Sequence, residues 1–329
     1  MSAKFKVPAQ YNSVIHDEKQ EFIHDVRVGL SKANKSVNSK YFYDEKGSEL
    51  FNQITHHSDY YLTDCELEIL DCYKNEMADL FKDEKLNLIE LGPGEGIKTR
   101  LLIDHFLNEK LSFKYFSIDI SKKYLDQIID KFNQELPNLE TIALNSDYLN
   151  GVKWLSSKSN KRNLLLFLGS SIGNFNSVDT KKFLSHLHDF LHPGDYVLVG
   201  FDLLKEIDIL LRAYNDGAGL TKEFNMNLLT RMNKELGANF NLSSFYHYGT
   251  YNVHSKAMES YLISNKAQIV YFEGLKKSFH FKDFEAIHVE SSQKYTLSDV
   301  NNLAHSSGFK LIKNFRDKKH YFLDSLWQV

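Results

Sequence analysis

The sequence predicts a doubly wound α/β fold, a mostly parallel sheet with helices on both faces, carrying a second α+β domain. Three observations predict it. Between residues 86 and 201 short apolar runs alternate with helix-like stretches, as strands and crossover helices do. One run, Asn163 to Leu168, is continuously apolar, which suits a strand covered on both faces. After Asp202 the pattern changes to two helices and several aromatic, β-rich runs before alternation resumes.

Taken in order, the first forty residues are polar and weakly patterned, and an aromatic cluster follows in YFYDEKGSELFNQITHHSDYYLTD. Thr63 with Glu66 three residues on reads as a capping box, followed by apolar residues at helical spacing from Leu67 to Leu80. Leu86–Leu91 is the first strand, 97–109 a helix, and Phe113–Ile118 the second strand, with Ser121 capping the next helix. Leu139–Leu144, Asn163–Leu168 and Tyr196–Phe201 are further strands, and Lys181–Leu191 is a helix ahead of the turn His192-Pro193-Gly194-Asp195. Helices near 204–214 and 221–236 follow, the second stopped by Gly237. A last helix over 298–307, capped by Ser298 and stopped by Gly308, leads into two strands that read as a hairpin added to a sheet edge. The middle block, about 205–294, reads as an insertion into the α/β domain.

Composition narrows the function. The chain has 329 residues, 42% hydrophobic and 25% charged, with a net charge of −3, which argues against a general nucleic-acid binder. The basic stretch Lys153 to Arg162 is rich in Ser and Asn and reads as a solvated loop. Two cysteines, Cys65 and Cys72, form no disulfide framework or zinc spacing, and His56-His57 lacks a third ligand, so no metal is expected. Neither a signal peptide nor a membrane-length apolar run is apparent, and a cytoplasmic monomer with no membrane partner is expected.

The most informative motif is Glu90-Leu91-Gly92-Pro93-Gly94-Glu95-Gly96, placed between a strand and a helix. Alternate glycines let the backbone turn sharply and approach a ligand closely, and such loops sit at the carboxyl ends of strands where α/β sheets bind ligands. Ile97 stands where a dinucleotide fingerprint needs its third glycine, and an extra residue separates Gly96 from Lys98-Thr99, which breaks a phosphate loop. The acid-x-G-x-G-x-G pattern resembles the first motif of class I S-adenosylmethionine (SAM) methyltransferases, and a carboxylate suits that ligand's cationic ammonium and sulfonium. The same resemblance makes Asp119, closing the second strand, the acid for the ribose hydroxyls, since a carboxylate offers two acceptors to a diol. Asp147 is a candidate for the adenine amino group, though alone it reads nearly as well as a surface-loop acid. Glu90, Gly92, Gly94, Lys98, Asp119 and Asp147 are the expected cofactor residues.

Several segments together resemble the histidine-specific methyltransferase family, whose best-known members trimethylate the α-amino group of L-histidine on the route to ergothioneine. They are YFYDEKGSELFNQIT…DYYLT, IELGPGEGIKTRLL, FSIDIS, FLGSSIGNF, LLRAYNDGAGLTKEFNMNLL…NKELGA and VESSQKY, in family order across nearly the whole chain. FLGSSIGN and AYNDGAGLTKEFN are specific to the family, and the glycine loop belongs to the wider class. The resemblance implies a class I methyltransferase core over 66–204 and 295–329, a second, substrate-binding domain built from the N-terminal segment 1–65 and the middle insertion 205–294, an amino-acid acceptor bound between them, and SAM as co-substrate without a metal.

Residue by residue, the resemblance makes Asn174 the contact for the acceptor's α-amino and α-carboxylate groups and Tyr214 a donor to that carboxylate. Tyr43 and Tyr60 line the same pocket, with Asn174 and Tyr43 assigned to the catalytic centre. Glu290 and Ser292 match the pair that reads the imidazole ring. Taken singly, each of these residues also reads as structural, Glu290 as an exposed strand-edge acid. Two positions depart from the family pattern: Ser260 stands where relatives often carry Met, and Gly169-Ser170 replaces paired glycines. The wider family includes a methyltransferase for a prenylated tryptophan, so another amino acid or an indole amine is the alternative acceptor, and a protein that binds without turnover is the alternative outside catalysis.

Overall fold

A computed structural model of the chain describes residues 3–6 and 18–329. They divide into two compact units, one holding 3–6, 62–204 and 295–329, the other 18–61 and 205–294. In chain order the first elements are β1 (Ala3–Lys6), α1 (Glu18–Leu30), β2 (Lys35–Ser36), α2 (Glu45–Thr55) and α3 (Tyr61–Asp79). Strict alternation follows in β3 (Lys85–Leu91), α4 (Ile97–Asn108), β4 (Ser112–Asp119), α5 (Lys122–Glu135) and β5 (Thr141–Asn145). It continues through α6 (Tyr148–Ser156), β6 (Arg162–Phe167), α7 (Ser177–Phe190) and β7 (Tyr196–Asp202). The insertion comprises α8 (Ile207–Tyr214), α9 (Leu220–Leu236), β8 (Phe245–Asn252), β9 (Ala257–Ser264), β10 (Gln268–Phe272), β11 (Lys277–Phe281) and β12 (Ala286–Gln293). The chain closes with α10 (Leu297–Ser306), β13 (Lys310–Arg316) and β14 (Phe322–Gln328).

The first unit is built on one eight-stranded sheet in the order β1-β5-β4-β3-β6-β7-β14-β13. Strands β1 and β3 to β7 run parallel, and the expected terminal hairpin adds β14 antiparallel to β7 with β13 outermost. The sheet's centre is buried on both faces because helices cover both: every residue of β3 after Lys85 is buried. Val152 and Leu155 of α6, Phe183, Leu184 and Leu187 of α7, and Val300 and Ala304 of α10 pack into one core cluster with these strands. Because β3 lies between β4 and β6, the winding reverses at its carboxyl end, the position that opens a ligand crevice in such sheets.

The insertion leaves and re-enters the first unit at a single point. Leu204 N–H donates to Tyr295 O at 2.9 Å, and Tyr295 N–H to Asp202 O at 2.9 Å, so a segment of 90 residues begins and ends side by side. The second unit holds a four-stranded sheet, β2-β12-β9-β8, and the hairpin β10-β11. Its core joins Phe22 and Val26 of α1, Leu228 and Met232 of α9, and Ile287 and Val289 of β12.

Several sequence expectations change, and Lys153–Ser156 of the expected basic loop belong to α6. The N-terminal strand β1 pairs with β5 at the edge of the first unit's sheet, so residues 3–6 do not join the second unit; residues 1–2 and 7–17 of that expected segment lie outside the described residues. Thr63 is no cap, because α3 begins at Tyr61 and Glu66 points inward with a fully buried side chain. Helix α10 is capped by Thr296 rather than Ser298, with Asp299 completing a reciprocal capping box.

Candidate active site

The glycine loop leaves β3 and enters α4, with Gly92, Gly94 and Gly96 all at positive φ (66°, 53° and 70°). Gly92 N–H donates to Ile118 O at 2.9 Å, which ties the loop to the end of β4. A Cβ on Gly92 would stand 2.6 Å from Tyr148 Oη, whereas one on Gly94 would meet nothing within 4 Å, so the loop is packed behind and open in front. Glu90 is buried beneath it and accepts from Thr99 Oγ1 and, at 2.5 Å, from Tyr115 Oη. Burial holds its carboxyl above the usual range against those two donors. Glu90 thus anchors the loop from below.

Asp119 ends β4 beside this loop. Its Oδ1 accepts from Ser121 N at 2.7 Å, and Oδ2 lies 3.9 Å from where a Gly92 Cβ would stand. Burial pushes its pKa up to about 6, against the backbone N–H groups of Ser121 and Ile120. Asp147 is the N-cap of α6, accepting from Asn150 N at 3.0 Å and Asn150 Nδ2 at 2.7 Å, so both oxygens serve the helix start. An open, positive-φ glycine loop with a half-buried carboxylate beside it fits a nucleoside ribose and a cationic amino-acid tail.

Lys98, on the first turn of α4, pairs with the buried Glu66 at 2.5 Å. Glu66 also accepts from Gly169 N–H at 2.9 and 3.0 Å, holding the turn in which Gly169 and Ser170 both take left-handed backbone (φ 75° and 57°). Asp324 of β14 lies against Glu66; burial, then the Glu66 charge, drives its carboxyl well above the ordinary range. The turn runs into a 3-10 helix, Ser171–Asn174, whose last residue is exposed. Ser170 Oγ accepts from Asp202 N–H at 3.0 Å, work no glycine in its place can do.

In the second unit, Glu290 and Ser292 sit two apart on β12 and share a face. A bulge between His288 and Glu290 shifts the register there, pairing Glu290 with Ser260 and Ser292 with Met258 of β9. Ser260 Oγ donates to Glu290 Oε2 at 3.1 Å, so the departure from the family residue adds a hydrogen bond. Burial raises the Glu290 carboxyl above its usual range, opposed by that bond and by the charge of Lys294. Tyr214 ends α8 and packs with Met258 and Tyr60. Its turn is locked by Asn215, which donates to Gly249 O at 3.1 Å and accepts from Gly249 N at 3.2 Å, while Asp216 caps α9. Tyr43 stacks edge-on against Phe51, and Phe51 meets Tyr60.

The structure therefore gathers Gly92, Gly94, Glu90 and Asp119 around one loop, and Tyr60, Tyr214, Glu290 and Ser292 within the second unit. Comparison with known proteins decides the family. Residues 22–329 match the family described as histidine-specific methyltransferase, SAM-dependent. The chain belongs to this family. It is 36% identical to the histidine N-alpha-methyltransferase of Mycolicibacterium smegmatis, over 84% of this chain and 85% of that protein. It is 33% identical to the protein of the same name from Mycobacterium tuberculosis, over 89% and 90%. Ergothioneine biosynthesis protein 1 of Schizosaccharomyces pombe is 28% identical over 84% of this chain but only 37% of its own length. As a family member, the chain is a SAM-dependent amino-acid N-methyltransferase.

Sequence reasoning missed Glu66, Asp324 and Tyr148 around the family's loops, and Lys294 beyond Ser292. Glu66 was hidden by its cap-like spacing from Thr63. Lys294 carried a signal, since it continues the every-second-residue series Glu290, Ser292.

Proposed function

We propose that this protein methylates the α-amino group of L-histidine, carrying it to the trimethyl form. The observation that carries the reading is the pair Glu290 and Ser292, a half-buried carboxylate and a buried hydroxyl two residues apart on one strand face. That pair offers an imidazole an acceptor for one nitrogen and a hydroxyl for the other, and an analogue lacking the ring forgoes both contacts.

When bound, SAM supplies the electrophilic methyl. The residues of this chain bind and orient. Gly92 and Gly94 admit the donor's backbone-facing edge, Asp119 accepts from its ribose hydroxyls, and Lys98, Glu90 and Asp147 hold the loops around it. Asn174 donates to the histidine carboxylate and accepts from its amine, Tyr214 donates to the same carboxylate, and Tyr60 and Tyr43 complete the pocket. With Asn174 and Tyr43 favouring the neutral amine, its lone pair forms the new N–C bond as the C–S bond breaks, and the proton leaves to water. The first unit is the cofactor domain and the second the substrate domain in this reading.

The test is mass spectrometry after incubating the purified protein with SAM and an equal mixture of amino acids. Mass gains of one to three methyl groups on histidine are expected, with the trimethyl product accumulating. Methylation of another amine with histidine untouched would refute the ring-reading role of Glu290 and Ser292.

A further inference from the structure

Lys294 is buried, with 2% of its surface exposed, and the reading so far gives it no role. It follows β12, two positions after Ser292 and four after Glu290, and strand periodicity puts the three on one face. Its Nζ donates to Ser292 Oγ at 2.9 Å and to Tyr214 Oη at 2.9 Å, lying 4.7 Å from the centre of the Tyr214 ring. Both hydroxyls belong to residues assigned to histidine.

An ammonium has protons to give and no lone pair to offer. Ser292 Oγ therefore accepts from Lys294, which leaves the hydroxyl its own proton to donate. Glu290 is occupied at Oε2 by Ser260 and keeps Oε1 as an acceptor. The two ring-reading groups thus have opposite polarity, one donor and one acceptor. A neutral imidazole has that same pair in complement, one N–H and one bare nitrogen, whereas an imidazolium has two N–H groups. Glu290 alone would favour the cation; the positive charge of Lys294 beside Ser292 opposes it.

We propose that Lys294 is a positioning and specificity residue that fixes Ser292 as a hydrogen-bond donor, so that the pair with Glu290 selects the neutral imidazole in one tautomer. This rests on histidine being the acceptor. In this role Lys294 acts through Ser292 and touches no reacting atom.

The test is a double-variant cycle on the full chain, reading KM for histidine, kcat and SAM affinity for Lys294→Met, Ser292→Ala and both together. Losing a charged hydrogen bond to the ring-reading hydroxyl should raise KM about tenfold or more in the wild-type background, with SAM affinity unchanged. In the Ser292→Ala background the same change should cost less than about threefold, because the route through Ser292 is already gone. Lys294→Arg, which keeps charge and donors, should recover part of the loss in the first background only. Equal penalties in both backgrounds, or an unchanged KM, overturn the proposal. Should Lys294→Met fail to fold, Lys294→Arg and Lys294→Gln run through the same two backgrounds decide it by the same criterion. Wild-type protein that leaves histidine unmethylated defeats the functional reading and this one with it; wild-type turnover with an additive cycle defeats this one alone.

Discussion

Asp119 offers a perturbation whose two effects have opposite signs. Its carboxyl titrates near 6 in the folded protein against an ordinary value of 3.8. At about 1.4 kcal/mol per unit the shift corresponds to about 3 kcal/mol, and partial solvent access at the strand end brings this to about 1–3 kcal/mol. The folded state holds the proton more tightly than the unfolded chain does, so stability falls as pH rises from about 4 to about 6 and is level above that window. Asp119→Asn keeps the shape and the acceptor for Ser121 N–H but never ionises. At pH 8 the ligand-free variant should gain about 1–3 kcal/mol, or roughly 2 °C or more in Tm per kcal/mol, and near pH 4 the gain should vanish. If Asp119 holds the ribose hydroxyls as proposed, the same change removes a charged acceptor and should weaken SAM about tenfold or more. Thermal unfolding at pH 4 and pH 8, with calorimetric titration of SAM at pH 8, reads both. A variant that melts at or below wild type at pH 8, or that binds SAM as tightly, would refute the reasoning.

Two further outcomes follow from the turn around Gly169 and the acid beneath it. Ser170→Gly relieves left-handed strain worth about 1 kcal/mol but leaves the buried Asp202 N–H without its acceptor, costing about 1–3 kcal/mol, so chemical denaturation should show a net loss of about 1 kcal/mol. Gly200→Ala places a Cβ 2.5 Å from Glu66 Oε1 with the Phe322 ring 3.2 Å behind, so Glu66 must move off Gly169 and Lys98; a loss of about 2–4 kcal/mol and weaker SAM binding are expected, and a wild-type Tm would show that Glu66 has room.

Much of the first unit was legible because its strands are buried on both faces and its helices are amphipathic, so periodicity reports the elements directly. The glycine loop and Asp119 were legible for the same reason: each lies where a recognisable strand ends. The second unit was less so. Strand β12 mixes Ile287 and Val289 with His288, Glu290 and Ser292 across a bulge, and polar residues on that face erase the apolar contrast that marks a strand. Helix ends were misread where two hydroxyls compete, as at Thr296 and Ser298, since spacing alone does not tell which one leaves helical backbone first. Glu66 and Asp324 stayed hidden because a buried carboxyl pair joins residues 258 positions apart, beyond any local pattern.

The adjacency of Leu204 and Tyr295 bears on how the chain assembles as it is made. All strands of the second unit precede residue 294, so that unit can be complete while the first still lacks β13 and β14. Until then β7 is an open edge with unpaired backbone groups, the kind of surface that recruits other chains. Asp324 arrives on the strand that seals that edge, and with it comes the last contact to Glu66 beneath the Gly169 turn. Completion of the fold and completion of the support beneath the Gly169 turn are therefore the same late event, so a ribosome-bound chain short of β14 holds that turn unfinished.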